Sequence, residues 1–455
     1  MRLWWSNGIT IEKSRLSFHL YKNGDKFEFF CLLFSERKVR ERNGYMENKF
    51  KRVEGGVTYP QGFKAAGIHC GLRKNKNKKD LALVVSDVEC SAAAIYTTNK
   101  VFGAPITVTR EHLKDGKARA VIVNSGNANT CNPDGVDKAN AMCRALAENL
   151  GISENDVVVA STGVIGAPLP LEPIVAGIPE LIASADYTPE AGYCAAAAIM
   201  TTDTRLKQIA IEYTVGDKTV KLGGMAKGSG MISPNMATML SFVTTDAGVS
   251  PEILQRMLKE AADRTFNMIS VDGDTSTNDT LCVMANGMSG VSITDETSME
   301  AVMFYDALEY ICRYLARKMA SDGEGATKLL ECRIRNFSDY QDARVLAKSV
   351  INSPLVKTAM FGADANWGRI LCALGYAGIE FDPSKVEVNF ISNAGEINVC
   401  KNGGSVIVDE DRAKEILLED SIIIDVDMHD GEETATAYGC DLSYEYVRIN
   451  GDYRS

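Results

Sequence analysis

The stretch SGMISPNMATMLSF, residues 229–242, holds Thr238, a hydroxyl with no histidine, aspartate or glutamate beside it. A threonine hydroxyl is a weak nucleophile unless a base stands next to it, so by residue type alone Thr238 reads as a strand residue. One route supplies the base from within. If the bond between Ala237 and Thr238 is cut, Thr238 becomes N-terminal and its own α-amine takes the proton. Such an amine has a reference pKa of about 7.7–8.0, so a useful fraction is neutral near neutrality. The neighbourhood suits the cut: Gly228, Gly230 and Pro234 allow a strained turn, and the small Ala237 leaves its carbonyl open to the hydroxyl. Attack there gives an ester by an N-to-O acyl shift, which water hydrolyses. Lys227 adds a positive charge earlier in the same stretch.

Other chemistries find little support. The four histidines (His19, His69, His112, His429) lie in no motif of a catalytic triad or metal site, and the twelve cysteines include no CxxC pair. They read as reduced, mostly buried thiols. MAKGSG (225–230), VDGDTS (271–276) and DGEGAT (322–327) are glycine-rich, but none has the spacing of a phosphate loop. A net charge of -11 argues against nucleic acid or an anionic membrane as partner, and with 45% apolar residues the chain has the composition of a soluble globular protein with no apolar run long enough for a span. Small molecules are the expected partners, in the cytoplasm, with no metal.

The residues that must hold this chemistry alternate between β-branched runs and helices. LALVVS (81–86), RAVIVN (119–124) and DVVVAS (156–161) predict buried strands, the last two running into the glycine loops SGNANT and TGVIG. DKANAMCRALAENLG predicts a helix closed by Gly151, and Ser250 with Pro251 opens another. A further helix spans about 300–320. VEVNF (386–390) and SIIIDVDM (421–428) return to strands. The pattern is that of an α/β protein.

From about Lys64 to Ser455 the chain resembles the ornithine acetyltransferase family, the glutamate N-acetyltransferases of arginine biosynthesis. Six ordered blocks carry the resemblance: STGVIG (161–166), MAKGSGMISPNMATML (225–240), SVDGDTSTNDT (270–280), DGEGATK (322–328), LVKTAMFGADANWGRI (355–370) and YVRINGDYRS (446–455). It implies two stacked β-sheets between helix layers (α/β/β/α), the N-terminal-threonine self-processing fold, with a smaller C-terminal α/β domain at about 345–455 completing the site. It also implies a precursor cut between Ala237 and Thr238 into chains 46–237 and 238–455, assembled as a heterotetramer of two copies of each. The reaction is acetyl exchange from N2-acetylornithine to glutamate without an added cofactor, and some members also accept acetyl-CoA. By the same resemblance Thr238 is nucleophile and base, Thr162 and Gly163 form the oxyanion hole, and Thr201, Lys227, Glu324, Asn450 and Ser455 bind substrate with Thr238. The family usually ends in threonine where this chain has Ser455, which keeps the hydroxyl and loses a methyl.

Two other readings compete. A hydrolase or aminopeptidase of the related self-processing class would use water as acceptor. A ligand-binding protein with a dead site would have no reason to keep Thr238, Lys227 and the STG loop, all of which are intact. Residues 1–45 fall outside the resemblance and carry nine Lys/Arg against five Asp/Glu, a balance opposite to that of the whole chain. They are expected to lie outside the fold, with translation starting at Met46. The first residue of protein purified from its native source checks this, and a start at Met1 refutes it.

Overall fold

The computed structural model describes residues 49–232 and 239–452, and within the first 48 residues the backbone of four strands. These are β1 (Arg2–Trp5), β2 (Ile9–Lys13), β3 (Phe18–Lys22) and β4 (Asp25–Glu28), an antiparallel meander whose strands pair with one another.

The main sheet is formed by β5 (Lys51–Val53), β6 (Phe63–Ile68), β7 (Leu81–Tyr96), β8 (Lys117–Asn127), β9 (Val157–Val164), β10 (Lys207–Val215), β11 (Lys218–Lys227), β12 (Leu240–Thr245) and β14 (Thr280–Ala285). Its order is β5-β10-β11-β12-β14-β7-β8-β9, with β6 also on β7. β13 (Gly248–Val249) and β15 (Ser292–Ile293) make a small parallel pair beside it.

β7 reconciles one hydrogen-bonded sheet with the expectation of two stacked ones. Its first half, Leu81–Ser86, pairs with β6 and β8, whereas its second half, Ser91–Tyr96, pairs with β14. Between them the register with β8 shifts between Val85 and Cys90, leaving Asp87, Val88 and Glu89 exposed. Such a bulge bends a strand and increases its twist. The strand expected to end at Ser86 therefore runs ten residues further, because the charged triplet that resembles a turn is the bend.

The two halves face each other. Phe63, Val84, Val121 and Val158 from one half share a core with Met225, Leu240, Phe242 and Cys282 from the other, and the alanine-rich helix Pro189–Ile199 supplies Ala195, Ala196, Ala198 and Ile199 to it. Helices Ala104–His112, Gly135–Leu150 and Glu172–Ala183 cover the outer face of the β6–β9 half through residues such as Val108, Met142 and Ile178. Pro251–Arg264 and Met299–Ser321 cover the other through Leu254, Leu258, Phe304 and Ile311. The α/β/β/α layering thus stands, with the two sheets continuous through β7. Gly151 ends its helix in the left-handed conformation as expected, while Ser250 stands at the N-cap position with its hydroxyl making no capping bond.

A second sheet of six strands follows: β16 (Leu329–Phe337), β17 (Glu387–Ser392), β18 (Gly395–Lys401), β19 (Gly404–Ser405), β20 (Ser421–Asp427) and β21 (Glu433–Cys440), in the order β19-β18-β17-β20-β16-β21. Its core joins Leu330, Phe390 and Ile424 to Leu346, Ile370 and Leu417 of the surrounding helices. The helix Tyr444–Gly451 then leads the chain back toward the main sheet.

Close packing of the inner helix on β6 requires Gly67, where a Cβ would lie 2.0 Å from the Cys194 carbonyl oxygen. Gly67→Ala is expected to cost at least ~1–3 kcal/mol of stability, read as a lower urea midpoint. An unchanged midpoint would mean the helix does not sit this close.

Candidate active site

A cleft of ≈ 120 Å³ opens where the ends of β9 and β11 meet the loops before β14 and β16, and the C-terminal helix reaches its edge. It is lined by Thr162, Gly163, Thr201, Lys227, Glu324 and Asn450, which are every sequence-predicted site residue among those described. Ala237, Thr238 and Ser455 lie outside the described residues. Ser276, Thr277 and Asn278, within a quoted block but not singled out there, also line it.

Each position has a local cause. Thr162 and Gly163 end β9, where Asn127 of β8 pairs with both Thr162 and Val164 in a bulge. Gly163 has φ +133°, and a Cβ there would meet the Gly126 carbonyl carbon at 2.3 Å. Only glycine fits this turn of backbone at the cleft. Gly230 serves in another way: a Cβ on it would lie 2.3 Å from the Glu324 carboxyl, so its absence admits that carboxyl to the site. Asn278 ties the region together, its amide donating to the carbonyls of Ala128 (2.6 Å) and Ser161 (3.0 Å).

Lys227 is no surface lysine. It is 3% exposed, and its Nζ donates to Thr162 Oγ1 at 2.9 Å. Burial pushes its ammonium below the ordinary lysine range, with Asp203 and Asp279 opposing that shift. Because the Thr162 oxygen accepts this bond, its own proton is left to be donated, and a charged partner strengthens that donor. Glu324 is also buried; Asn450 Nδ2 donates to its Oε2 at 2.9 Å, and the Glu324 backbone N–H donates to the Ser229 carbonyl at 2.7 Å.

Beneath the cleft lies an ionic cluster that the sequence reading missed. Lys207, with a side chain 1% exposed, sits 2.6 Å from both Asp203 and Asp322. Asp203 accepts the N–H groups of Thr201 (3.0 Å) and Gly228 (2.7 Å), and Asp322 accepts those of Thr204 and Arg205, both at 3.1 Å. The segment carrying Thr201, the end of β11 after Lys227 and the loop of Glu324 are thereby fixed to one ammonium. The only trace in the sequence is the four-residue spacing of Asp203 and Lys207.

The described histidines stay out of the site. His112 Nδ1 lies 2.8 Å from the Val157 carbonyl, His69 Nδ1 lies 2.9 Å from that of Lys78, and His429 Nε2 lies 3.4 Å from Glu387. Seven of the eleven described cysteines are buried and all eleven are unbridged.

A model of the ArgJ family matches residues 64–455. The arginine biosynthesis bifunctional protein ArgJ of Caldanaerobacter subterraneus subsp. tengcongensis is 51% identical over 404 residues, covering 89% of this chain and 99% of that protein. The protein of the same name from Symbiobacterium thermophilum is 50% identical over 405 residues, 89% of this chain and 99% of that one. Among solved structures, the Bacillus halodurans ArgJ is similar at 43% identity and a TM-score of 0.45, over 46% of this chain and 97% of that one.

The ionic cluster makes stability depend on acid. Burial raises the Asp203 carboxyl, but the charges of Lys207 and Lys227 outweigh it and hold the group down at about 2, against an ordinary value of 3.8. A depressed folded pKa contributes stability that is complete above the unfolded value and fades as pH falls from about 4 toward 2. Asp203→Asn should be less stable than the parent at pH 7 and converge on it near pH 2 in denaturant titrations; a constant gap across this range would refute the ion pair.

Proposed function

This chain belongs to the ArgJ family, and on that premise we propose that it moves an acetyl group from N2-acetylornithine to glutamate, giving ornithine and N-acetylglutamate, through an acetyl-threonine intermediate on Thr238. The observation that carries this reading is the convergence of Thr162, Gly163, Thr201, Lys227, Glu324 and Asn450, from distant parts of the chain, on one cleft with a buried cation at one wall and a buried carboxylate at another. An amino-acid substrate offers the complementary pair, an α-carboxylate and an ammonium.

In this reading the precursor cuts itself between Ala237 and Thr238. The new α-amine takes the Thr238 hydroxyl proton as Oγ attacks the acetyl carbonyl. The oxygen that becomes negative receives the Thr162 hydroxyl and the Gly163 N–H, one good donor of this kind being worth roughly 2.7–4 kcal/mol. Lys227 acts behind Thr162 by polarising its hydroxyl. Collapse expels ornithine with the proton held by the amine, and the glutamate amine then attacks the acetyl ester to regenerate Thr238. Glu324, with Asn450 behind it, suits the distal ammonium of ornithine, and Thr201 with Ser455 completes the binding set. The relatives' name, bifunctional, supports acetyl-CoA as a second donor. The reading extends to a cytoplasmic particle of two copies of each piece; among the described residues no helix is long and apolar enough to cross a membrane.

Intact mass under denaturing conditions tests the core of this reading. The parent should give two pieces, one beginning at Thr238, and Thr238→Ala should stay whole; an active, uncut parent would falsify the mechanism. Ornithine release should depend on glutamate, whereas glutamate-independent release would mean a hydrolase. Lys227→Met, which leaves Thr162 without its charged donor, should lower kcat on the order of 100-fold, and a folded variant with parental kcat would remove Lys227 from this role.

A further inference from the structure

A side-chain amide offers two donors and an oxygen with two lone pairs, and when all four are in use it holds its neighbours in one geometry. Asn278, in the loop that leads into β14, is 7% exposed and is used in this way. Its Nδ2 donates to the Ala128 carbonyl at 2.6 Å and to the Ser161 carbonyl at 3.0 Å. Its Oδ1 accepts the hydroxyls of Thr130 at 2.7 Å and Thr277 at 2.5 Å. Turning the amide over would set its oxygen against two carbonyls, so the partners admit one orientation. A Cβ on Gly103 would lie 2.7 Å from both Asn278 Nδ2 and Thr130 Oγ1, which closes the cluster on that side.

The two carbonyls bracket the Thr162–Gly163 turn. That of Ser161 belongs to the peptide group whose N–H is that of Thr162. At the far end of the pair, the Val164 carbonyl accepts the Ala128 N–H at 2.9 Å. Asn278 thus holds one end directly and the other through Ala128. It does so from across the molecule: β14 lies in the half of the main sheet beyond the second part of β7, whereas Ser161 to Val164 end β9 in the other half. Lys227, which donates to Thr162 Oγ1, comes from β11 on the same side as β14. Backbone and hydroxyl of the turn are both gripped from the opposite half of the sheet.

We propose that Asn278 is the positioning residue for the donors at Thr162 and Gly163: by fixing the Ser161 and Ala128 carbonyls it aims the Thr162 hydroxyl and the Gly163 N–H at the point where the acetyl oxygen becomes negative. The proposal rests on the acetyl-transfer reading above. Preset donors matter most in the transition state, because their bonds strengthen as charge develops on the oxygen. Asn278 acts through the backbone from which those donors project, so its effect belongs to kcat more than to substrate binding.

Asn278→Ala removes both amide donors without adding charge. In the cut, folded protein it should lower kcat for ornithine release on the order of 10–100-fold, with KM for acetylornithine little changed; a parental kcat overturns the proposal. A purely structural role would be indifferent to Thr162, and a double-mutant cycle separates the two. Thr162→Ala already removes one of the two aimed donors, so in that background Asn278→Ala should cost ~5-fold less in kcat than in the parent, and an equal cost in both backgrounds overturns the proposal. Should Asn278→Ala fail to fold or to be cut, Thr130→Val decides, since Thr130 orients the amide and does not line the cleft. A kcat lowered ~3-fold or more at parental KM then supports the proposal, and a parental kcat overturns it. A parent that releases no ornithine from acetylornithine removes the acetyl-transfer reading together with this proposal, whereas an active parent with additive variants removes only this one.

Discussion

One ammonium group, that of Lys207, holds the cleft in shape. A lysine this deep in the protein pays a heavy desolvation cost unless its partners are well placed, and breaking such a pair by removing one partner typically costs about 3–5 kcal/mol. Here Asp203 and Asp322 both reach it; Asp203 also accepts the backbone N–H groups of Thr201 and Gly228, and Asp322 those of Thr204 and Arg205 together with the Thr204 hydroxyl. Charge, backbone and site are one construction. Thr201, Lys227 and Glu324 keep their relative places because the chain beside each is bonded to the same small cluster.

Around that anchor, absence of side chain matters as much as presence. Gly163 turns the end of β9 in a way its neighbour Gly126 leaves no room to copy with a Cβ, and Gly230 gives up the space that the Glu324 carboxyl occupies. The result puts a cation and an anion in one small cleft without letting them neutralise each other: Lys227 is turned to Thr162, and Glu324 to Asn450.

Much of this could be read in the sequence, and what could not has physical reasons. β7, β8 and β9 were legible because their β-branched runs are continuous, as strands buried on both faces should be, whereas β6, FKAAGI, has no such run. β7 was cut short in the reading since Asp87 and Glu89 carry the composition of a turn, while the bend they form only exists against β8. The site residues were legible through the six ordered blocks of the family resemblance, not through their own chemistry. Lys227 and Glu324 taken singly have the composition of surface residues, and the partners they meet in the fold, Thr162 for Lys227 and Asn450 for Glu324, are distant in sequence. Asp203, Lys207 and Asp322 escaped: a three-way bond across 119 residues leaves no local pattern beyond the four-residue spacing of Asp203 and Lys207.

β5, β10 and β11 precede residue 233, β12 and β14 follow it, and β7, β8, β9 and β6 precede it again. A chain opened between Ile232 and Met239 therefore leaves its later part threaded through its earlier part, with two strands hydrogen-bonded on both flanks. Neither piece owns the whole of the main sheet. Separation would require tearing two ladders at once, those of β11 with β12 and of β14 with β7, so the opened protein is held together by weaving and not by an interface that forms and dissolves.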